Sequence, residues 1–193
     1  MRAAGPRRLA YPVAMRTSAD PARAGQNDQV RGFAPVAAPD ARILVLGSMP
    51  GVASLRQARY YAHPRNAFWP IAAAAHGFDP ALDYPDRLLA LQAAGVALWD
   101  VLQACERPGS LDADIRGDTL VANDFAAFLE RHPAIVRVCF NGGKAASLYR
   151  RHVLPGLAAS LEYVDLPSTS PAHAAVSFEQ KLAAWRRALT LRD

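Results

Sequence analysis

The sequence predicts an α/β protein: a three-layer α/β/α sandwich around a mostly parallel four-stranded sheet. Three observations predict it. Four short, continuous apolar runs read as strands buried on both faces: ARILVLGS (41–48), GVALWDV (95–101), IVRVCFNGG (135–143) and LEYVDLPSTSP (161–171). Helical patterns fill the gaps between them, so the strands are joined by crossovers and run parallel. Each run also stops in glycine, proline or polar residues, where an open parallel sheet places its ligand.

Each element has a local reason. The first strand is rich in branched residues and is stopped by Gly47. FWPIAAAAHG (68–77) and PDRLLALQAAG (85–95) follow as helices, Pro85 suiting an early helical position and Gly95 a C-terminal cap. The second strand then leads to NDFAAFLERHP (123–133), with Asn123 or Asp124 as N-cap and Pro133 as stop. The third strand runs through Asn141 into GKAASLYRRHVLPG (143–156), a helix. After the fourth strand, Ser177 caps a helix over 177–193 that sets Leu182, Trp185 and Leu189 on one face.

Composition excludes several classes. No apolar run approaches the roughly 20 residues of a membrane span. Cys105 and Cys139 lack metal-ligand spacing, which argues against a zinc site or an iron–sulfur cluster and fits a reducing, cytoplasmic setting. The formal charge of +5 divides unevenly. Residues 1–40 carry six Arg and three acids, whereas 41–193 carry 16 basic and 14 acidic groups, so the folded part is only mildly basic. Residues 1–40, rich in Ala, Pro, Arg and Gly without a period, read as a flexible arm, with Met15 as an alternative start. Residues 41–193 read as one domain.

The strand ends carry the chemistry. In GSMPG, Gly47 and Gly51 let a backbone approach a ligand and expose amide groups, or simply turn the chain. It is neither a P-loop nor a dinucleotide fingerprint. In YYAHPRNAFW (60–69), Phe68 and Trp69 read as core, and Tyr61 as a stacking platform or a loop anchor. Asn66 offers an amide for a water or a base edge, or caps the helix that follows. Asp100 ends the second strand, and Asn141 ends the third. The Asn141 amide can pair with a lactam N–H and C=O together, or sit in a left-handed turn. LPSTSPAHA supplies Ser168, Thr169, Ser170 and His173, which can grip a phosphate and stabilise an anion, or form a plain surface loop. No nucleophile-elbow motif G-x-S-x-G is present.

Taken in order, GSMPG, YYAHPRNAFW and STSPAHA resemble the motifs of the uracil-DNA glycosylase superfamily: a G-x-x-P-G loop, then HP-x-N-x-FW, then a Ser-Pro loop. With LWDVLQACERPGSLDADI added, the chain from about Ala41 onward looks most like the hypoxanthine-DNA glycosylase branch, also called DNA-deoxyinosine glycosylase. The resemblance implies a monofunctional glycosylase that flips out deaminated bases, chiefly hypoxanthine and secondarily uracil, and hydrolyses the N-glycosidic bond with water. It implies no cofactor and no metal, a monomer, and DNA containing deaminated bases as partner. Asn66 and His173 would be catalytic. Gly47, Ser48, Met49, Tyr61, Asp100 and Asn141 would bind the base, although Asp100 could instead cap a helix. Ser168, Thr169 and Ser170 would hold phosphates, and Arg56, Arg59 and Arg65 would add long-range attraction.

Two departures from the superfamily stand out. Met49 occupies a position where many relatives carry a water-positioning Asn or Asp, which moves that role to Asn66. Ser168 stands where uracil-specific enzymes have His, which leaves His173 as the imidazole. Ser110, Asp112 and Asp114 form a polar loop after the second strand, expected to close by carboxylate-to-backbone bonds. The motifs carry no Lys, so Schiff-base chemistry is not expected. The alternatives are a same-fold glycosylase mainly for uracil or xanthine, a non-catalytic damaged-DNA binder, or a small nucleotide or sugar-phosphate binder.

Overall fold

The structure is a computed structural model, and it describes residues 29–108, 111–158 and 160–191. Its centre is a four-stranded parallel sheet. The strands are β2 (Ile43–Gly47), β3 (Val96–Asp100), β6 (Arg137–Asn141) and β7 (Glu162–Leu166), in the order β3-β2-β6-β7. The chain leaves β2 for one neighbour, β3, and later returns to its other side at β6. This reversal opens a crevice beyond the carboxyl ends of the strands. Gly47, Asp100 and Asn141 stand at that rim.

Two-residue periodicity divides the sheet between two cores. Leu44, Leu46, Ala97, Trp99, Val138 and Phe140 face one side. There they meet α4 (Phe125–Arg131) and α5 (Gly143–His152) through Phe125, Phe128, Ala145 and Tyr149. Ile43, Val45, Val96, Leu98 and Cys139 face the other side. They meet α2 (Phe68–His76), α3 (Tyr84–Ala93) and α6 (Phe178–Leu189) through Phe68, Trp69, Leu91 and Trp185. Each fully buried large side chain of this kind contributes about 1.5–3 kcal/mol. The caps follow the sequence. Asp124 accepts the Ala127 N–H at 3.0 Å, and Ser177 with Gln180 forms a reciprocal capping box.

One helix and three strands were not foreseen. A short helix, α1 (Val52–Gln57), follows the GSMPG loop. A small antiparallel sheet joins β1 (Gln29–Arg31), β4 (Leu102–Glu106) and β5 (Val121–Ala122) in the order β1-β4-β5. Residues 29–40, ahead of the domain start expected at 41, pack against this fold. Besides β1, Val36 bridges Leu98, Trp99 donates its indole N–H to Phe33 O, and Tyr60 donates its hydroxyl to Ala34 O. Glycine is required at position 32, because a Cβ there would lie 2.8 Å from Leu102 O. Residues 1–28 of the flexible arm expected over 1–40, and Ser110, lie outside the described residues. Among the described residues no helix is long and apolar enough to cross a membrane.

Candidate active site

A cavity of about 560 Å³ opens at the crevice. Its floor begins where β2 ends. A Cβ on Gly47 would fall 2.3 Å from Asp100 Oδ1, so only glycine lets the backbone pass this close to the carboxyl. The Gly47 and Ser48 carbonyls accept from Val101 and Leu102 N–H at 2.8 and 3.1 Å, which binds the floor to the chain leaving β3. Ser48 Oγ donates to Asp112 Oδ1 at 2.5 Å, and Arg107 Nη2 donates to Pro50 O. The polar loop after β4 is therefore stapled to the glycine loop by side chains from both.

Asp100 is the most perturbed acid of the site. It is 3% exposed, and its Oδ2 has no hydrogen-bond partner. Burial, with the charge of Asp112 adding to it and Arg107 opposing, pushes its pKa up to about 7. Near neutral pH it can both donate and accept. Tyr61 stands close by, its hydroxyl 3.6 Å from where a Gly47 Cβ would be. That hydroxyl is buried without a partner. Burial and the Asp100 charge push its pKa well up, and the approach of Asn141 only partly offsets this. One face of the Tyr61 ring stacks on Phe68 at 4.1 Å, leaving the other face and the hydroxyl edge free of Phe68. The residue sits at φ 54°, in the left-handed region, at a cost of about 1–3 kcal/mol for a non-glycine.

The remaining walls come from two loops. Ser54 Oγ accepts the Ala62 N–H, and Asn66 Oδ1 accepts the Phe68 N–H at 2.9 Å. Asn66 thus ties down the first turn of α2 through its oxygen, while its Nδ2 makes no hydrogen bond to any described residue. Opposite, Asn141 and Thr169 form a clasp. Asn141 Nδ2 donates to Thr169 Oγ1 and Thr169 N–H donates to Asn141 Oδ1, both at 2.8 Å. The Ala67 N–H donates to Thr169 O at 3.0 Å and so joins this loop to α2. Lys181, 6% exposed on α6, donates to the His173 carbonyl at 2.7 Å.

The crevice is thus a concave slot that brings together an aromatic ring, a buried carboxyl and fixed amides. The family model for the Uracil DNA glycosylase superfamily matches residues 34–190. The chain belongs to that superfamily. It is also 38% identical to a protein named hypoxanthine DNA glycosylase from Methanosarcina acetivorans, over 74% of this chain and 87% of the relative. The protein of the same name from Methanosarcina barkeri is 38% identical over 60% of this chain and 72% of its own length. A solution NMR structure of a Methanosarcina acetivorans protein, described as a candidate uracil DNA glycosylase, superposes with a TM-score of 0.71 at 34% identity. The match covers 83% of this chain and 96% of that one.

In this superfamily member the eleven residues singled out from the sequence all line the one cavity, but in different ways. Gly47, Ser48, Met49, Tyr61 and Asp100 form its inner end, while Asn66, Ser168, Ser170 and His173 stand nearer solvent. Two of them already hold each other. Thr169 is 1% exposed with its hydroxyl engaged by Asn141, so its side chain locks the loop. Asn141 spends one donor and one acceptor on Thr169, which leaves its amide one further N–H and one lone pair. Met49 is 6% exposed and packs with the core of the small sheet. Arg107 and Lys181 were missed, because a charged residue in ERPGS or on an amphipathic helix reads as solvated surface.

Proposed function

We propose that this DNA glycosylase, a hydrolase of N-glycosyl bonds, acts first on hypoxanthine in DNA and secondarily on uracil. The observation that carries the reading is Asp100, a buried carboxyl with a free oxygen at the inner end of a cavity shared with Tyr61 and Asn66. Deamination replaces a ring nitrogen lone pair by an N–H and an exocyclic amine by a carbonyl. A neutral carboxyl matches this lactam: its carbonyl oxygen accepts the ring N–H and its O–H donates to the base carbonyl.

The same O–H serves the chemistry. As the C1′–N bond breaks, its electron pair stays with the base, and negative charge reaches the base carbonyl. A fixed donor there stabilises the departing base, and a neutral donor does so without like-charge repulsion. The sugar becomes oxocarbenium-like, and water adds at C1′ and releases a proton. Orientation of that water matters more than strong basicity, which suits a carboxamide. The unengaged Nδ2 of Asn66 supports that role for it. His173, exposed at the mouth, supports a contact to the flanking backbone or the outer edge of the base. The Ser168 and Ser170 hydroxyls support phosphate contact.

The test is a panel of otherwise identical duplexes bearing hypoxanthine, uracil, xanthine or no lesion, scored for abasic product under single-turnover conditions. Fastest release from the hypoxanthine duplex is expected. No abasic product from it at any salt concentration, or release from uracil alone, would overturn the reading.

A further inference from the structure

A second cavity of about 270 Å³ lies across the Tyr61–Asn66 loop from the first and shares that loop as a wall. Its cations are fixed in place. The Arg59 guanidinium lies 5.4 Å from the Tyr84 ring centroid, and that of Arg87 lies 5.3 Å from the Trp69 ring centroid. Tyr84 is itself pinned, its hydroxyl accepting the Tyr60 N–H at 2.8 Å. No carboxylate lines the cavity, and neither arginine forms an ion pair among the described residues. Arg87 Nε is buried without a partner. Two preorganised guanidiniums with unused donors and no counter-charge form a seat for an anion, and planar forks suit phosphate oxygens.

We propose that this cavity binds a backbone phosphodiester of the DNA strand, displaced along the strand from the everted nucleotide. The inference rests on DNA as the substrate but not on which base is excised. The shared loop gives the seat a purpose: a phosphate held there pulls the strand against the outer side of the loop whose inner side faces the base. The volume falls just below the usual range for a drug-sized ligand.

The experiment measures the affinity of undamaged duplex against salt, so that it is independent of excision. One phosphate contact makes affinity fall about 3.5-fold between about 50 and about 200 mM salt, through a log–log slope of about −0.9. The double variant Arg59→Gln, Arg87→Gln should bind about tenfold more weakly at low salt, with a slope shallower by about 0.9. Arg59→Lys, Arg87→Lys should keep the wild-type slope. Arg151→Gln, which removes one charge from the exposed face of α5 and so matches the single Arg59→Gln change, should keep both slope and affinity. If the double Gln variant melts early, Arg59→Gln alone carries the test on an exposed side chain. An unchanged slope in a folded Gln variant would overturn the proposal. So would displacement of inorganic phosphate by the Gln changes with no effect on duplex binding, since the seat would then serve free anions.

Discussion

Replacing Asp100 by Asn removes a charge that the fold accommodates poorly, and its effect on stability can be worked out in advance. In the unfolded chain the carboxyl titrates near its ordinary 3.8, whereas in the folded protein burial lifts it to about 7. Between these values the folded state holds the proton that the unfolded state has released. Stability therefore falls as pH rises from about 4 to about 7 and is level above that. At roughly 1.4 kcal/mol per pH unit, the cost on the alkaline side is about 4 kcal/mol. Asn carries no such charge. Paired urea titrations should show Asp100→Asn equal to the wild type near pH 4 and more stable by up to about 4 kcal/mol at pH 8. Titrating groups remote from Asp100 cancel in the difference. A gap between the two proteins that is the same at pH 4 and pH 8 would refute the argument, because it would mean that Asp100 titrates as an ordinary surface acid.

Under the proposed function the same group governs excision. Single-turnover release of hypoxanthine should decline as pH rises through about 7 while Asp100 ionises, and Asp100→Asn should flatten that decline because the amide keeps one donor and one acceptor. Asn66→Ala should lower the single-turnover rate by about 10²–10⁴-fold with little change in duplex affinity, measured by gel shift beside the rate. It should also cost about 1 kcal/mol in a thermal melt through the lost contact to the Phe68 N–H. Gly47→Ala drives a methyl into Asp100 Oδ1, so it should cost about 1–3 kcal/mol in urea and collapse excision together. Thr169→Val keeps the shape but strands Asn141 Nδ2, for a loss of about 1–3 kcal/mol read by urea titration.

The large sheet was legible because its strands are buried on both sides, and a run such as ILVLG has few other uses. The small sheet was not. β1 has three residues and β5 two, too few to show a period, and β4 follows β3 with only Val101 between them. Helix α1 has six residues between Gly51 and Ala58, with no side-chain cap to announce it. At the site, Asp100 could be found from its place at a strand end, a matter of topology. What Asn141 does with its amide could not, since its partner Thr169 is 28 residues away and the choice between base and strut is made by tertiary contact. The aromatic cluster divides in the same way. Tyr60, Phe68 and Trp69 are buried anchors, the Trp69 indole donating to Tyr60 O, and Tyr61 alone of the four has its hydroxyl beside Asp100.

The segment before Ala41 has a consequence for how the molecule is assembled. Its ties reach far along the chain: Ala34 waits for a hydroxyl 26 residues later, Phe33 for an indole 66 residues later, and Gln29 for Glu106. A ribosome delivers these partners later than the segment itself, so that segment emerges with nothing to hold and closes only after β4 has left the exit tunnel. The cavity at the strand ends, whose walls include Asn141 and the Ser168–His173 loop, is completed later still. A chain trimmed to begin at Ala41 could still form its parallel sheet, yet would leave the Tyr60 hydroxyl and the Trp99 indole without their acceptors.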